Sequence, residues 1–261
     1  MHNLGLLSVL LAILQNVLTE QNKPEWANEP LLGDYQNAWK SIDQPDSAVY
    51  HLVLTTYKDD SGSWGNDFQC VTVKETGKDA EKKTVNSRFL FLNASSSKEN
   101  TVFDVTEKVQ AVSHYGYSKL NAIKYLVQGE HDFVDPLVFS DEKYCDVFHV
   151  PYAKNSQGKV EGGYELWLNG DVVDSIPYHC AYIFKYFSRQ NTEQYTKYEK
   201  EKCKVGRGQR RPSPVPSERR SPISQLLRNR SNFTIAHRKP VPTSCYCDNL
   251  RAALTAGIIA R

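Results

Sequence analysis

Tyr164-Glu165-Leu166-Trp167 sets one carboxylate inside a short apolar run. In a strand, successive side chains point to opposite faces, so Glu165 and Trp167 look one way while Tyr164, Leu166 and Leu168 look the other. A buried carboxylate needs a partner or a proton. The face therefore reads in one of two ways. It is the solvated side of an edge strand with Trp167 half exposed, or it is the wall of a pocket for a small cation, the acid supplying charge and the ring a cation–π surface. The same period-two pattern recurs: Ile123 shares a face with Tyr125, Phe133 with Asp135, and Glu107 with Phe103 and Val105. For any one strand the acid can simply face solvent. Four such mixed faces together point to a charged interior.

These residues need strands to position them, and between Val49 and Leu168 the chain is a series of short apolar or alternating runs. Eight strands are predicted: Val49–Tyr57, Phe68–Glu75, Thr84–Asn93, Thr101–Val112, Asn121–Val127, Phe133–Phe139, Cys145–Tyr152 and Tyr164–Leu168. Turn residues break them at Asp59-Asp60-Ser61-Gly62, Glu75-Thr76-Gly77-Lys78, Ala94-Ser95-Ser96-Ser97, Gly129-Glu130 and Gln157-Gly158. The spacing and the Val, Tyr, Phe and Thr content favour a closed antiparallel barrel over a sandwich. A barrel of this size holds one small ligand or is filled by side chains. Residues 37–42 predict a helical turn closing one end. Residues 176–188 predict a helix with Pro177 in its first turn, and 195–204 a second short one, both outside the barrel.

At the N-terminus, the apolar run Leu4–Leu14 is too short to span a bilayer and is followed by polar residues. It predicts a signal peptide over residues 1–20, a hydrophobic core segment being the alternative. The mature chain is then expected to be secreted, without membrane insertion. The net charge of +2 hides a division: 12 of the 32 Lys and Arg, but only two of the 30 Asp and Glu, lie after Cys203. Residues 21–203 thus form an acidic barrel domain. Residues 204–261 form a basic tail rich in Pro, Ser and Arg, expected to be disordered or an artefact of the reading frame. The tail's charge would suit heparin or an acidic surface, but no nucleic-acid partner is expected.

Six cysteines follow the same division. Cys70, Cys145, Cys180 and Cys203 are dispersed through the body and read as two disulfides in any of three connectivities; Cys245 and Cys247 lie in the tail. No cysteine or histidine spacing suits a metal ion, and no Ser, His and Asp set or phosphate-cradling Gly-rich loop announces catalysis. His51, His114, His149 and His179 are expected to be structural or surface residues. Asn93-Ala94-Ser95, Asn229-Arg230-Ser231 and Asn232-Phe233-Thr234 are glycosylation patterns.

An ordered set of segments then carries a resemblance. Gln36-Asn37-Ala38-Trp39-Lys40-Ser41, Tyr57-Lys58-Asp59-Asp60, Trp64-Gly65-Asn66-Asp67-Phe68, Cys70-Val71, Phe89-Leu90-Phe91, Thr106-Glu107-Lys108-Val109, Tyr115-Gly116-Tyr117, Cys145-Asp146-Val147 and Tyr164-Glu165-Leu166-Trp167 occur in sequence. Over residues 22–203 the chain resembles the tick salivary histamine-binding lipocalins. The resemblance implies an all-β, eight-stranded antiparallel lipocalin barrel that sequesters histamine in two acidic pockets, without cofactor, metal or catalysis. By position, Tyr57, Asp60, Trp64, Tyr125, Phe133 and Glu165, with Ser41 nearby, look like the tighter pocket. Phe89, Glu107, Asp135, Asp146 and Trp167 look like the second. The family pattern would pair Cys70 with Cys203 and Cys145 with Cys180.

Three positions depart from the pattern. One extra residue in Ser61-Gly62-Ser63 precedes Trp64, leaving Asp59 as an alternative to Asp60; Pro45 stands where some members have an acid; and Ile123 replaces an aromatic. The second pocket could therefore suit a larger amine such as serotonin. Histamine, with an ammonium group and an imidazole, fits paired carboxylates and aromatic rings. A lipid mediator such as a leukotriene would instead ask for an apolar cavity with a basic mouth. An inhibitor of host complement or haemostasis would use the outer loops, and a glycosidase-like enzyme would use paired acids, which here are dispersed among aromatics. A monomeric, secreted amine scavenger is the expectation.

Overall fold

In the computed structural model, the described residues are 23–60, 63–94, 102–126, 133–191 and 193–205. Every described residue belongs to one compact unit. The signal-peptide segment, the tail with Cys245 and Cys247, and the acceptor patterns at Asn229 and Asn232 lie outside the described residues.

The alternating runs form β1 (Tyr50–Thr55), β2 (Gln69–Asp79), β3 (Thr84–Leu92), β4 (Phe103–Val112), β5 (Ala122–Tyr125), β6 (Phe133–Ser140), β7 (Cys145–Val150) and β8 (Gly163–Asn169). Neighbours from β2 to β8 pair antiparallel in sequence order, and β1 pairs with both β8 and β2. Eight strands therefore close into a lipocalin barrel. Closure leaves an inner face that packs on itself and an outer face that needs a second layer only where helices cover it.

Two corrections follow from pairing that local sequence does not report. The turn residues 75–78 do not end β2. Thr76 still pairs with Asn86 and Asp79 with Thr84, across an irregularity at which Gly77 adopts a φ of +56°. Residues 195–204 are not one helix: Tyr195–Thr196 form a short strand, β9, on Leu54 and Thr55 of β1. The next residue, Lys197, donates its N–H to the Val53 carbonyl (2.9 Å) and accepts from Cys70 N (2.8 Å). That segment fills the gap where β2 leaves β1.

Helices close and cover the barrel. A short helix, α1 (Glu29–Leu32), leads through a 3-10 turn to α2 (Ala38–Ile42), whose N-cap Asn37 accepts from Lys40 N at 3.1 Å. Ala38, Ser41 and Ile42 of α2 are buried at one end of the barrel. The fully buried Gln36 secures this segment: its amide donates to the carbonyls of Trp26 and Val138 (both 2.9 Å) and accepts from the Tyr117 hydroxyl (2.7 Å). On the outside, α3 (Tyr178–Phe187) lays Cys180 and Phe184 against β7 and β8. With Trp26, Val53, Val138, Val147, Leu166 and Leu168 they make a second core. Leu166 is thus buried outside the barrel while Glu165 and Trp167 are buried inside it. A last helix, α4 (Lys200–Val205), follows β9. Disulfides join Cys70 to Cys203 and Cys145 to Cys180, the pairs that the resemblance implied.

Candidate ligand-binding site

Alternation along β8 turns Glu165 and Trp167 inward, and each uses the other: Trp167 Nε1 donates to Glu165 Oε2 at 2.8 Å. The second carboxylate oxygen accepts from the Tyr57 hydroxyl. Glycine at 163 permits that geometry, because a Cβ there would stand 2.5 Å from Tyr57 Cδ1. Burial pushes Glu165 up to about 7, against the pull of the Tyr57 and Trp167 hydrogen bonds and with the charge of Asp60 adding to it. Across the interior, Asp135 Oδ2 accepts from the Tyr152 hydroxyl at 3.1 Å, while Oδ1 is buried without a hydrogen-bond partner. Burial and then the charge of Glu165 hold Asp135 well above the usual carboxylate range.

Two cavities share this interior. The first is bounded by Tyr57, Asp60, Trp64, Glu107, Tyr125, Tyr152, Asp135 and Glu165, with Phe89 and Phe91 behind. Trp64 meets Phe89 and Phe91 edge-on, centroids 5.0 and 5.3 Å apart, and its carbonyl accepts from Asn93 Nδ2 at 2.9 Å. Asp60 is held by its backbone bridge to Gly65 and by Ser63 N donating to Oδ1 at 3.1 Å. Asp59 is exposed and accepts from Asp67 N at 2.7 Å, so Asp60 is the acid at this cavity.

The second, larger cavity has Ser41, Asp146 and Trp167 together with Glu75, Ser87, Ile123 and Phe148 in its wall. Ser41 Oγ donates to Asp146 Oδ2 at 2.8 Å, and Ser87 Oγ donates to Glu75 Oε2 at 2.7 Å. Burial raises both acids to about 7, more than the serine hydrogen bonds lower them. Phe89, Tyr125, Asp135 and Glu165 border both cavities. Among the described residues lining either cavity there is no Lys, Arg or His.

The two expected pockets are therefore brought together, but divided differently. Ser41 stands beside Asp146 in the larger cavity, not beside the Tyr57 pocket. Glu107 lines the smaller cavity only. Phe133 lines neither and instead packs edge-on against Tyr152, centroids 5.0 Å apart. Two lining residues went unrecognised although their signal was present. Val71, Val73 and Glu75 alternate along β2, and Asp146, Phe148 and Val150 along β7, a spacing that Tyr152 continues in the turn beyond it. Glu75 ends one predicted strand and opens a predicted turn, and Tyr152 ends another.

A closed barrel with an acidic, aromatic interior defines a lipocalin that binds a small ligand. The chain matches the family model "Tick histamine binding protein" over residues 26–205 and belongs to that family of binding proteins, which are not enzymes. It is 38% identical over 188 residues to the male-specific histamine-binding salivary protein of Rhipicephalus appendiculatus, covering 70% of this chain and 90% of that protein. It is 36% identical over 183 residues to the female-specific histamine-binding protein 1 of the same tick, covering 70% and 88%. A solved structure of AM182 in complex with serotonin aligns with a TM-score of 0.43 at 18% identity, over 62% of this chain and 90% of that one.

Proposed function

We propose that the protein is a secreted scavenger of cationic biogenic amines, chiefly histamine, that lowers their free concentration and so blunts a host inflammatory response. The observation that carries this is a desolvated interior with Asp135, Glu165, Asp146 and Glu75 and, among the described residues, no basic side chain lining it. Such an interior is stable only with protons or a bound cation. An amine supplies the charge, and Trp64, Tyr57 and Tyr125 supply ring surface for an imidazole. The kinship to two tick proteins named for histamine binding supports the ligand, and the salivary name of the male-specific one supports secretion. Among the described lining residues there is no basic side chain of the kind an anionic lipid mediator would ask for.

The smaller cavity, around Tyr57, Asp60, Trp64, Tyr125 and Glu165, is the proposed tighter site; the larger one, with Asp146 and Trp167, is the proposed second site. Ile123 in the larger wall gives more room than an aromatic ring would, which favours serotonin as its alternative guest. The protein is expected to act as a monomer. Calorimetric titration of histamine into the protein tests the proposal, beside a Glu165→Gln variant. Two sites are expected, with the tighter weakened by about tenfold or more in the variant, the cost of one charge-assisted hydrogen bond. The absence of heat with both histamine and serotonin at micromolar concentrations would sink it.

A further inference from the structure

Glu75 is a carboxylate of the interior that the resemblance did not assign. β2 turns it inward two residues after Val73, into the wall of the larger cavity. Ser87 Oγ donates to it at 2.7 Å, a neutral donor that brings no compensating charge. The nearby cation, Lys78, acts on Glu75 through its charge, but its direct contacts are with other groups. Its Nζ donates to the Gln44 carbonyl and lies 3.5 Å from Asp46 and 3.7 Å from Asp43. Asp146, another acid of this cavity, is likewise held by a serine, Ser41.

The two acids stand on different walls. β3, which carries Ser87, and β7, which carries Asp146, are four strands apart in a closed ring of eight; β2 and β7 are three apart. Val109, Ile123, Phe148 and Trp167 lie in the same lining and give the cavity apolar walls. A third acid adds an independent sign of a missing guest: Asp135, 4% exposed, borders this cavity with Oδ1 unpartnered. A ligand with one positive head satisfies one wall and leaves the opposite acid to keep its proton.

We propose that Glu75 is a ligand-binding carboxylate of the larger cavity and that, with Asp146 on the facing wall, it fits that cavity to a two-headed cation such as an α,ω-diamine. This rests on the amine-binding proposal for the same interior and narrows it to a ligand class for one site. A chain of methylenes between two ammonium groups would lie against the apolar walls with a carboxylate at each end.

The test is calorimetric titration of the full chain at pH 7.5 with 1,4-diaminobutane, n-butylamine and histamine, for the unmodified protein, Glu75→Gln and Ser87→Ala. The unmodified protein is expected to bind the diamine at least about tenfold more tightly than butylamine, the equivalent of one added charge-assisted contact. Glu75→Gln should bring the two within about twofold and leave histamine binding at the smaller cavity. Ser87→Ala keeps the acid and removes its hydroxyl donor. It should weaken the diamine by a few-fold more than butylamine, and it carries the test if Glu75→Gln does not fold. A diamine preference that survives in Glu75→Gln, or equal losses for both ligands in Ser87→Ala, overturns the inference. Histamine binding without any diamine preference in the unmodified protein overturns it too, and leaves the amine proposal standing. Failure of all three ligands overturns both.

Discussion

The interior acids set a pH dependence whose sign follows from their shifted protonation. Glu165 and Asp146, 5% exposed each, titrate near 7, as does Glu75, while unfolded carboxylates titrate near 4. Between these values the empty folded state holds protons that the unfolded state has lost, so stability falls as pH rises. Each of the two most buried groups contributes a stabilisation on the order of 3 kcal/mol below pH 4 that is gone above pH 7. Thermal unfolding of ligand-free protein should therefore show a midpoint that drops from pH 5 to pH 7.5. Binding of a cation runs the other way, because it needs the carboxylates ionised. Histamine affinity should rise by about tenfold or more over the same interval, with protons released, visible as different calorimetric heats in phosphate and Tris. Affinity that is flat or falls with pH would show that the acids are not ligand groups.

Two elements position the site, and each rests on one residue. β8 begins at Gly163, where an added Cβ would collide with the Tyr57 ring that donates to Glu165. Gly163→Ala should displace that ring and weaken the smaller site, by about tenfold for histamine if the Tyr57 contact is lost, while circular dichroism shows the barrel retained. Unchanged affinity would mean the ring relocates without consequence. At the barrel's end, Gln36 bonds two carbonyls and one hydroxyl in full burial. Gln36→Leu leaves those groups unpaired, at a cost of about 2 to 4 kcal/mol in denaturant unfolding. Because α2 follows directly, Ser41 should also loosen from Asp146.

At the scale of the whole molecule, the Cys70–Cys203 bond ties α4 to β2 across 133 residues, just beyond β9 in the gap between β1 and β2. Chain entropy assigns such a closure on the order of 4 to 5 kcal/mol. Replacing both cysteines by serine should lower unfolding stability by an amount of that order. The effect on Cys145–Cys180, which spans only 35 residues, should be smaller. Equal losses at the two bonds would point instead to local packing, since Cys145 of β7 and Cys180 of α3 are both fully buried where that helix meets the barrel.

Much of this was legible in the chain. Alternation along Tyr164 to Leu168 already assigns Glu165 and Trp167 to one face, because side-chain direction in a strand is a local property with period two; turn residues mark only some of the strand ends, and those at 75–78 lie inside β2. The resemblance carried the acids and the disulfide pairs. What local pattern could not report was which strand stands opposite which. Ser41 lies 105 residues from Asp146, Tyr57 108 from Glu165, and Tyr152 reaches Asp135 from a turn. Those pairings exist only once the barrel has closed. For the same reason Glu75 looked like the start of a turn: its place in the wall depends on β3 continuing to pair with β2 beyond Thr76. The sequence by itself determined a barrel with acids inside. Closure alone decided how those acids are shared between two cavities, because it brings distant strands face to face and removes the water that would otherwise have kept each acid separate.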